Sequence, residues 1–229
     1  MSDNPVSIII PAYNEENYIG DTISYAFKIP GVEQILVIDD GSSDNTPEIA
    51  VNSGAQVILT GKNRGKGEAI NTGARYIEGN VVLILDADIG KSAAEAENLV
   101  LPVIKGEADM TVAIFPEANK KNGFGLVKGL ARKGIQYFTG HPVMSPLSGQ
   151  RAMSVKLFKN LVPLASGYGV EVDLTIRALS SGYRIIEIPV IMSHRETGRD
   201  LKGIIHRGKQ FIHVARTLAE LKLMGYGSA

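Results

Sequence analysis

Apolar and polar positions along this chain alternate between two kinds of run. Short β-branched stretches recur at Val6–Ile10, Gln34–Ile38, Gln56–Leu59, Val81–Leu85 and Met110–Phe115. Each is the length of a strand, and the Val81–Leu85 run is apolar throughout, as expected for a strand buried on both faces. Between them lie stretches with apolar residues at helical spacing, such as Tyr18, Ile19, Ile23, Ala26 and Phe27. Asn14 is placed to cap the first helix, with Glu15 and Glu16 in its opening turn. Asn45-Thr-Pro47 opens a second helix, and Glu68 to Tyr76 forms a third. Ser92-Ala-Ala-Glu95 fits a capping box for a fourth, reaching Ile104. Strand alternating with helix over residues 1–115 predicts an α/β fold with a mainly parallel sheet and helices on both faces.

The pattern changes after Phe115. Residues 117–125 lack periodicity and read as a loop, and a helix follows to Phe138. His141 to Gly149 is rich in Pro, Ser and Gly. Helices are expected at Leu157–Leu161 and Val170–Leu179, and two strands at Arg184–Ile188 and Val190–Met192, split by Pro189. Leu201 to Leu223 reads as helical, with a basic amphipathic helix over Leu201 to Leu218. The expected organisation is one domain over 1–229: a first half to 115, a second region over 116–200, and a helical tail from 201.

Composition narrows the classes. The 229 residues carry 24 Lys+Arg and 24 Asp+Glu, so the net charge is zero and nothing favours a nucleic-acid partner. There is no cysteine, which removes disulfides and thiolate metal sites. No apolar run approaches the ~20 residues of a membrane span, and Met1 to Pro5 lacks a signal-peptide pattern. A cytoplasmic protein is expected. The basic tail leaves room for peripheral contact with an anionic membrane, and a homodimer is compatible with the sequence.

Candidate chemistry collects where strands end. Asp86 and Asp88 follow the apolar run of Val81–Leu85 with only Ala87 between them. Ligands bind beyond the carboxyl ends of strands in open α/β sheets, and two carboxylates at this spacing suit a hard divalent cation holding a phosphate. Asp as a helix cap in a solvated turn is the ordinary alternative. Asp39-Asp40 ends another strand and has the same two readings, caps or an acceptor for a nucleobase N–H. Gly61-Lys-Asn-Arg-Gly-Lys-Gly67 leads into a helix, where glycines let a backbone approach phosphate; it lacks the Gly-Lys-[Ser/Thr] ending of a Walker loop. His194 sits with Arg195 and Arg199, a set able to ligate metal and hold phosphate. Glu171 and Asp173 adjoin the flexible Gly167-Tyr-Gly169 turn as candidate bases or caps.

In order, these pieces resemble the GT-A fold glycosyltransferases of family 2, and among them the glucosyl-3-phosphoglycerate synthase relatives. The matching segments are Ile10-Pro-Ala-Tyr-Asn-Glu-Glu16, Val37-Ile-Asp-Asp-Gly-Ser-Ser-Asp44, Gly65-Lys-Gly-Glu-Ala69, Asp86-Ala-Asp88, Pro146-Leu-Ser-Gly149, Gly167-Tyr-Gly-Val-Glu171 and Ser193-His-Arg195. The resemblance implies a Rossmann-like three-layer GT-A domain with a smaller acceptor-side region. It implies transfer of a hexose, glucose foremost, from a UDP-linked donor with Mg²⁺ or Mn²⁺. Pro11, Ala12, Tyr13, Glu15, Asp40 and Lys66 would line the nucleotide pocket, with Asp86 and Ala87 on the nucleotide-sugar. Asp88 and His194 would hold the metal. Tyr168 and Glu171 would face the sugar, and Leu147, Ser148, Gly149 and Arg195 the acceptor. Glu171, Asp173 and Asp86 are the catalytic candidates. A phosphorylated small molecule such as a phosphoglycerate is the acceptor implied, with polyprenyl phosphate at a membrane surface the second choice. The phosphoglycerate-type enzymes tend to carry an arginine near Gly123-Phe-Gly125; this chain offers Lys120, Lys121 and Lys128 instead. A nucleotidyltransferase fits poorly, because its Gly-rich Thr-Arg loop near the first strand is replaced by Pro11-Ala-Tyr-Asn14.

Overall fold

The computed structural model describes residues 4–115, 125–192 and 201–227, with the side chains of 201–207 excepted. The elements run β1 Val6–Ala12, α1 Ile19–Ala26, β2 Val32–Asp39, α2 Thr46–Asn52, β3 Gln56–Leu59, α3 Lys66–Gly73, β4 Val81–Ile84, α4 Glu97–Ile104 and β5 Met110–Ile114. They continue with α5 Gly125–Thr139, β6 Arg151–Ser154, α6 Val155–Leu161, α7 Val170–Ser180, β7 Ile185–Pro189 and α8 Leu201–Leu223. One seven-stranded sheet is formed, ordered β3-β2-β1-β4-β6-β5-β7. All neighbours pair in parallel except β6, which is antiparallel to both β4 and β5.

Strand period two divides the core between the faces. Ile8 and Ile10 of β1 join α1 and α4 residues such as Ile19, Ile23, Leu99 and Val100. Ile9 between them joins Leu36, Ile38, Val82 and Ile84 with α3, α6 and α7. A third cluster binds α5, α7 and α8 through Val127, Ala131, Ile135, Val172, Ile176, Val214 and Leu221. Helices therefore cover both faces, and the apolar strand runs follow from that double burial.

Several local expectations are corrected. Asn14 does not cap a helix: it has φ 56° and its side chain accepts from Ser43 N at 2.8 Å, tying the β1 and β2 loops together. Helix α1 begins only at Ile19, so Glu15 and Glu16 precede it. Ser92 makes no capping box; its hydroxyl donates to Ile89 O, and Gly90–Ala96 is a 3₁₀ stretch before α4. A single strand, β7, extends through Pro189; Val190 adds one more bond to Ile114 O at 3.0 Å, and no second strand forms over Val190–Met192. Pro189 is tolerated because β7 is an edge strand. Strand β6 was not apparent from the pattern. Its direction matters, since an antiparallel strand starts at the rim where its parallel neighbours end.

Candidate active site

The rim forms where β1, β2 and β4 stop. The continuation of β4 carries Asp86, and β6 enters beside it, with Ile84 opposite Arg151. That pairing brings Ser148, Gly149 and Gln150 to Asp86, more than sixty residues away in sequence. Gln150 Nε2 donates to Asp86 Oδ2 at 2.7 Å. Lys66, the first residue of α3, donates to Asp86 Oδ1 at 2.5 Å. The same ammonium lies 3.1 Å from Glu171 Oε1 in the first turn of α7. One cation thus joins a strand end, a helix start and a second helix start.

Burial alone would push the Lys66 ammonium down, but the Asp86 and Glu171 carboxylates outweigh it and hold the group above its ordinary value. A lysine raised in this way stabilises the fold fully below the unfolded value of about 10.4, and the contribution fades only as pH rises through the higher folded value. Lys66 is therefore charged across the neutral range. Tyr168 shares the neighbourhood: burial and the Glu171 charge raise its phenol, while Lys66 opposes them.

Gly149 sits directly on this pair. A Cβ there would fall 2.7 Å and 2.8 Å from the two Asp86 carboxylate oxygens and closer still to Lys66 Nζ. Both neighbours are side-chain ends, so they would shift rather than unfold the chain. Gly149→Ala is expected to lower kcat/KM by about 10- to 100-fold through displacement of the pair, at a stability cost of about 1–3 kcal/mol. Steady-state kinetics beside a thermal melt would check it; near-wild-type turnover would remove Asp86 and Lys66 from the reacting centre.

The nucleotide-side candidates are gathered on the adjoining edge. Ala12 is buried at the end of β1, Pro11 and Glu15 are half-buried, and Tyr13 is exposed. Ala87 is buried, and its carbonyl accepts from Thr22 Oγ1 at 2.8 Å. Asp40 accepts from the backbone of Arg64 at 3.0 Å and of Gly65 at 2.6 Å. That corrects the picture of the Gly61–Gly67 loop as a set of amides waiting for phosphate, since two of them are turned inward to Asp40. Asp39 accepts from Gly41 N and Ser42 N in the loop after β2, a turn rather than a cap of α2, which starts only at Thr46.

Asp173 does not join the cluster. Two helical residues place it about 200° around α7 from Glu171, where it accepts from Ala165 N at 3.0 Å and from Arg177 at 3.3 Å. Burial raises its carboxyl despite those partners. It clamps the 163–165 turn.

Arg151 is a feature the sequence pattern concealed. It is fully buried, donates through Nε to Ser148 O and through Nη1 to Thr175 Oγ1, and Thr175 in turn donates to Glu171 O. Burial pushes its guanidinium down to about 10, with Glu171 and Glu187 opposing. Arg151 therefore braces both the Ser148 turn and the α7 turn that carries Glu171. Its place two residues after Pro146-Leu-Ser-Gly149 was the available signal.

For a divalent cation the described residues offer Asp88, half-buried just past Asp86. No group of three potential ligands occurs among the described residues. A hard ion that draws most of its ligands from diphosphate oxygens and water needs only one or two protein groups, so this donor set fits. His194 and Arg195 lie outside the described residues, as do Lys120 and Lys121.

A polar cluster of carboxylates and lysine at the carboxyl rim of this mixed sheet lies where α/β proteins bind their ligands. The glycosyl transferase family 2 model matches residues 7–162, and the chain belongs to that family. Among relatives it is 28% identical over 204 residues to glycosyltransferase AglJ of Haloferax volcanii, covering 85% of this chain and 65% of that one. It is 29% identical over 214 residues to an undecaprenyl-phosphate 4-deoxy-4-formamido-L-arabinose transferase of Edwardsiella ictaluri, covering 87% and 63%. Among solved structures it matches glucosyl-3-phosphoglycerate synthase of Mycobacterium tuberculosis in complex with Mn²⁺, UDP and phosphoglyceric acid. There the TM-score is 0.79 at 26% identity, over 94% of this chain and 79% of that one. The chain is a glycosyltransferase with the GT-A-like α/β fold the motifs implied.

Proposed function

We propose that this protein transfers a hexose, glucose foremost, from a UDP-linked donor to a phosphorylated acceptor of the phosphoglycerate kind. The observation that carries the reading is Lys66 bridging Asp86 and Glu171, with Gly149 packed against the bridge. The solved synthase with UDP, metal and phosphoglyceric acid supports the donor and acceptor classes. In this reading Pro11, Ala12, Tyr13, Glu15 and Asp40 border the nucleotide.

Asp88, with His194, would hold Mg²⁺ or Mn²⁺, which when bound offsets the charge of a departing diphosphate. The chain's own residues do the rest. Asp86, fixed by Lys66 and Gln150, accepts hydrogen bonds from the donor sugar. Lys66 keeps its positive charge beside the leaving group and holds Glu171 in place. Glu171 accepts from a sugar hydroxyl or takes the acceptor's proton as its oxygen bonds to the anomeric carbon. The bond from that carbon to the diphosphate oxygen breaks, and both inversion and retention are compatible with this arrangement.

A lipid-phosphate acceptor is the second reading, favoured by α8. Ile212 and Leu223 stand 64% and 88% exposed there, and Met224 just past its end 71%, beside Lys209, Arg216 and Lys222. An acceptor screen separates the two. UDP-glucose with Mn²⁺ would be offered 3-phosphoglycerate in solution, or polyprenyl phosphate in anionic vesicles. Product from 3-phosphoglycerate alone is expected; product only in the vesicle arm would move the assignment to the membrane surface. Among the described residues no helix is long and apolar enough to cross a bilayer.

A further inference from the structure

Helix α8 closes on the site more tightly than a terminal brace requires. Gly167 and Gly169 have no side chain because α8 leaves no room for one: a Cβ on the first would strike the His213 ring, and on the second the Thr217 hydroxyl. The Tyr168 amide donates to His213 Nδ1 at 3.3 Å, and the two rings pack at 5.6 Å. This contact seats α8 against the turn that precedes Glu171.

Between α5, α7 and α8 it leaves a cavity of about 60 Å³, lined by Val127, Leu147, Tyr168, Glu171, Gln210 and Val214. The space admits a few heavy atoms and no sugar ring. Three walls are apolar. Tyr168 brings its phenol, Glu171 a carboxylate also held by Lys66, and Gln210 its Oε1, which is buried with no hydrogen-bond partner among the described residues. A buried carbonyl oxygen left without a donor costs free energy, so native structures seldom keep one idle. An unsatisfied Gln210 oxygen and the Glu171 carboxylate on the lining of one small space suit a ligand group that donates, on a carbon that can lie against valine and leucine.

We propose that this cavity receives a hydroxyl-bearing carbon of a substrate, a hydroxymethyl group in chemical terms, and that Gln210 of α8 is a specificity-determining residue that accepts from its hydroxyl. The inference rests on the glycosyl-transfer reading and adds to it a contact from the C-terminal helix. The hydroxymethyl could belong to the donor hexose or to the acceptor. Both offer the same chemistry, and the kinetics tell them apart.

The test is Gln210→Met, which keeps length and burial and removes the acceptor oxygen, with Val214→Leu as a second variant that fills the cavity from its apolar wall. Donor hydrolysis without acceptor, and transfer to acceptor, are measured with UDP-glucose and with UDP-xylose, which lacks the hydroxymethyl carbon. For a donor hydroxymethyl, both variants should lose about tenfold or more in kcat/KM for UDP-glucose hydrolysis and little for UDP-xylose. For an acceptor hydroxymethyl, hydrolysis of both donors should be unchanged and kcat/KM for the acceptor should fall by a similar factor. Unchanged kinetics in folded variants, as judged by thermal melts and UDP binding, would mean the cavity holds only water and would overturn the proposal. A wild-type protein that binds and cleaves no nucleotide-sugar would instead overturn the glycosyl-transfer reading, and this inference with it.

Discussion

Asp88→Ala should reduce metal-stimulated turnover by on the order of 10³-fold or more while leaving the fold intact. Asp88 is half-buried in the turn after β4, outside the helices and strands that carry the core. Its loss should therefore shift the melting temperature by no more than a few degrees. The neighbouring Asp86 is engaged by Lys66 at 2.5 Å and by Gln150 at 2.7 Å. That division of work makes the two acids distinguishable. Asp88→Ala should weaken Mn²⁺ binding to the UDP-loaded protein, whereas Asp86→Asn should lower kcat with Mn²⁺ binding retained. Calorimetric titration of Mn²⁺ in the presence of UDP reads the difference. Full activity in Asp88→Ala would sink the metal assignment.

The second large effect separates two acids two residues apart. Glu171→Gln should cost roughly 10²- to 10⁴-fold in kcat, because it removes the carboxylate 3.1 Å from Lys66. Asp173→Asn should change kcat less than about threefold, since Asp173 lies on the other side of α7 from Glu171 and its partners are Ala165 and Arg177. An asparagine can still accept from Ala165 N and from Arg177. The pH dependence of stability gives an independent reading. A carboxyl raised by burial binds its proton more tightly in the folded state, so Asp173 takes stability away as pH rises through its folded value. Asp173→Asn should accordingly flatten the stability profile above the ordinary carboxylate range. Equal losses from both substitutions would place the base elsewhere.

The parts of the fold that were legible are those whose pattern had one physical cause. β4 is buried on both faces, so its apolar run was unbroken, and the acids after it could lie only at its exit. The helix at Leu201–Leu223 showed its own period. β6 was hidden because it is four residues long, contains a buried arginine and a serine, and follows a Pro- and Gly-rich stretch. Without it, the proximity of Gly149 and Gln150 to Asp86 had no sequence signal beyond motif order. Asn14 illustrates a different limit: asparagine serves both as a helix cap and as a left-handed turn residue, and only tertiary bonds to Ser42 and Ser43 decide between them. Asp40 was assigned to the base from family resemblance, yet its loop contacts at Arg64 and Gly65 arise from a chain closure no local pattern encodes. Glu171 and Asp173 were separable in principle, because helical geometry turns residues i and i+2 apart. Gln210 was lost in an amphipathic average, where a half-buried glutamine looks like any boundary residue.

The central claim is metal-dependent activation of a nucleotide-sugar at the Lys66–Asp86–Glu171 cluster. Its most direct test is release of UDP from UDP-glucose by the purified protein, with Mn²⁺ or Mg²⁺ and again after chelation, alongside other UDP- and GDP-sugars. UDP release that requires the divalent ion, favours the UDP-hexoses and disappears in Glu171→Gln is the predicted result. Binding of UDP-glucose without any cleavage or transfer when Mn²⁺ is present, or equal release after chelation, would contradict it.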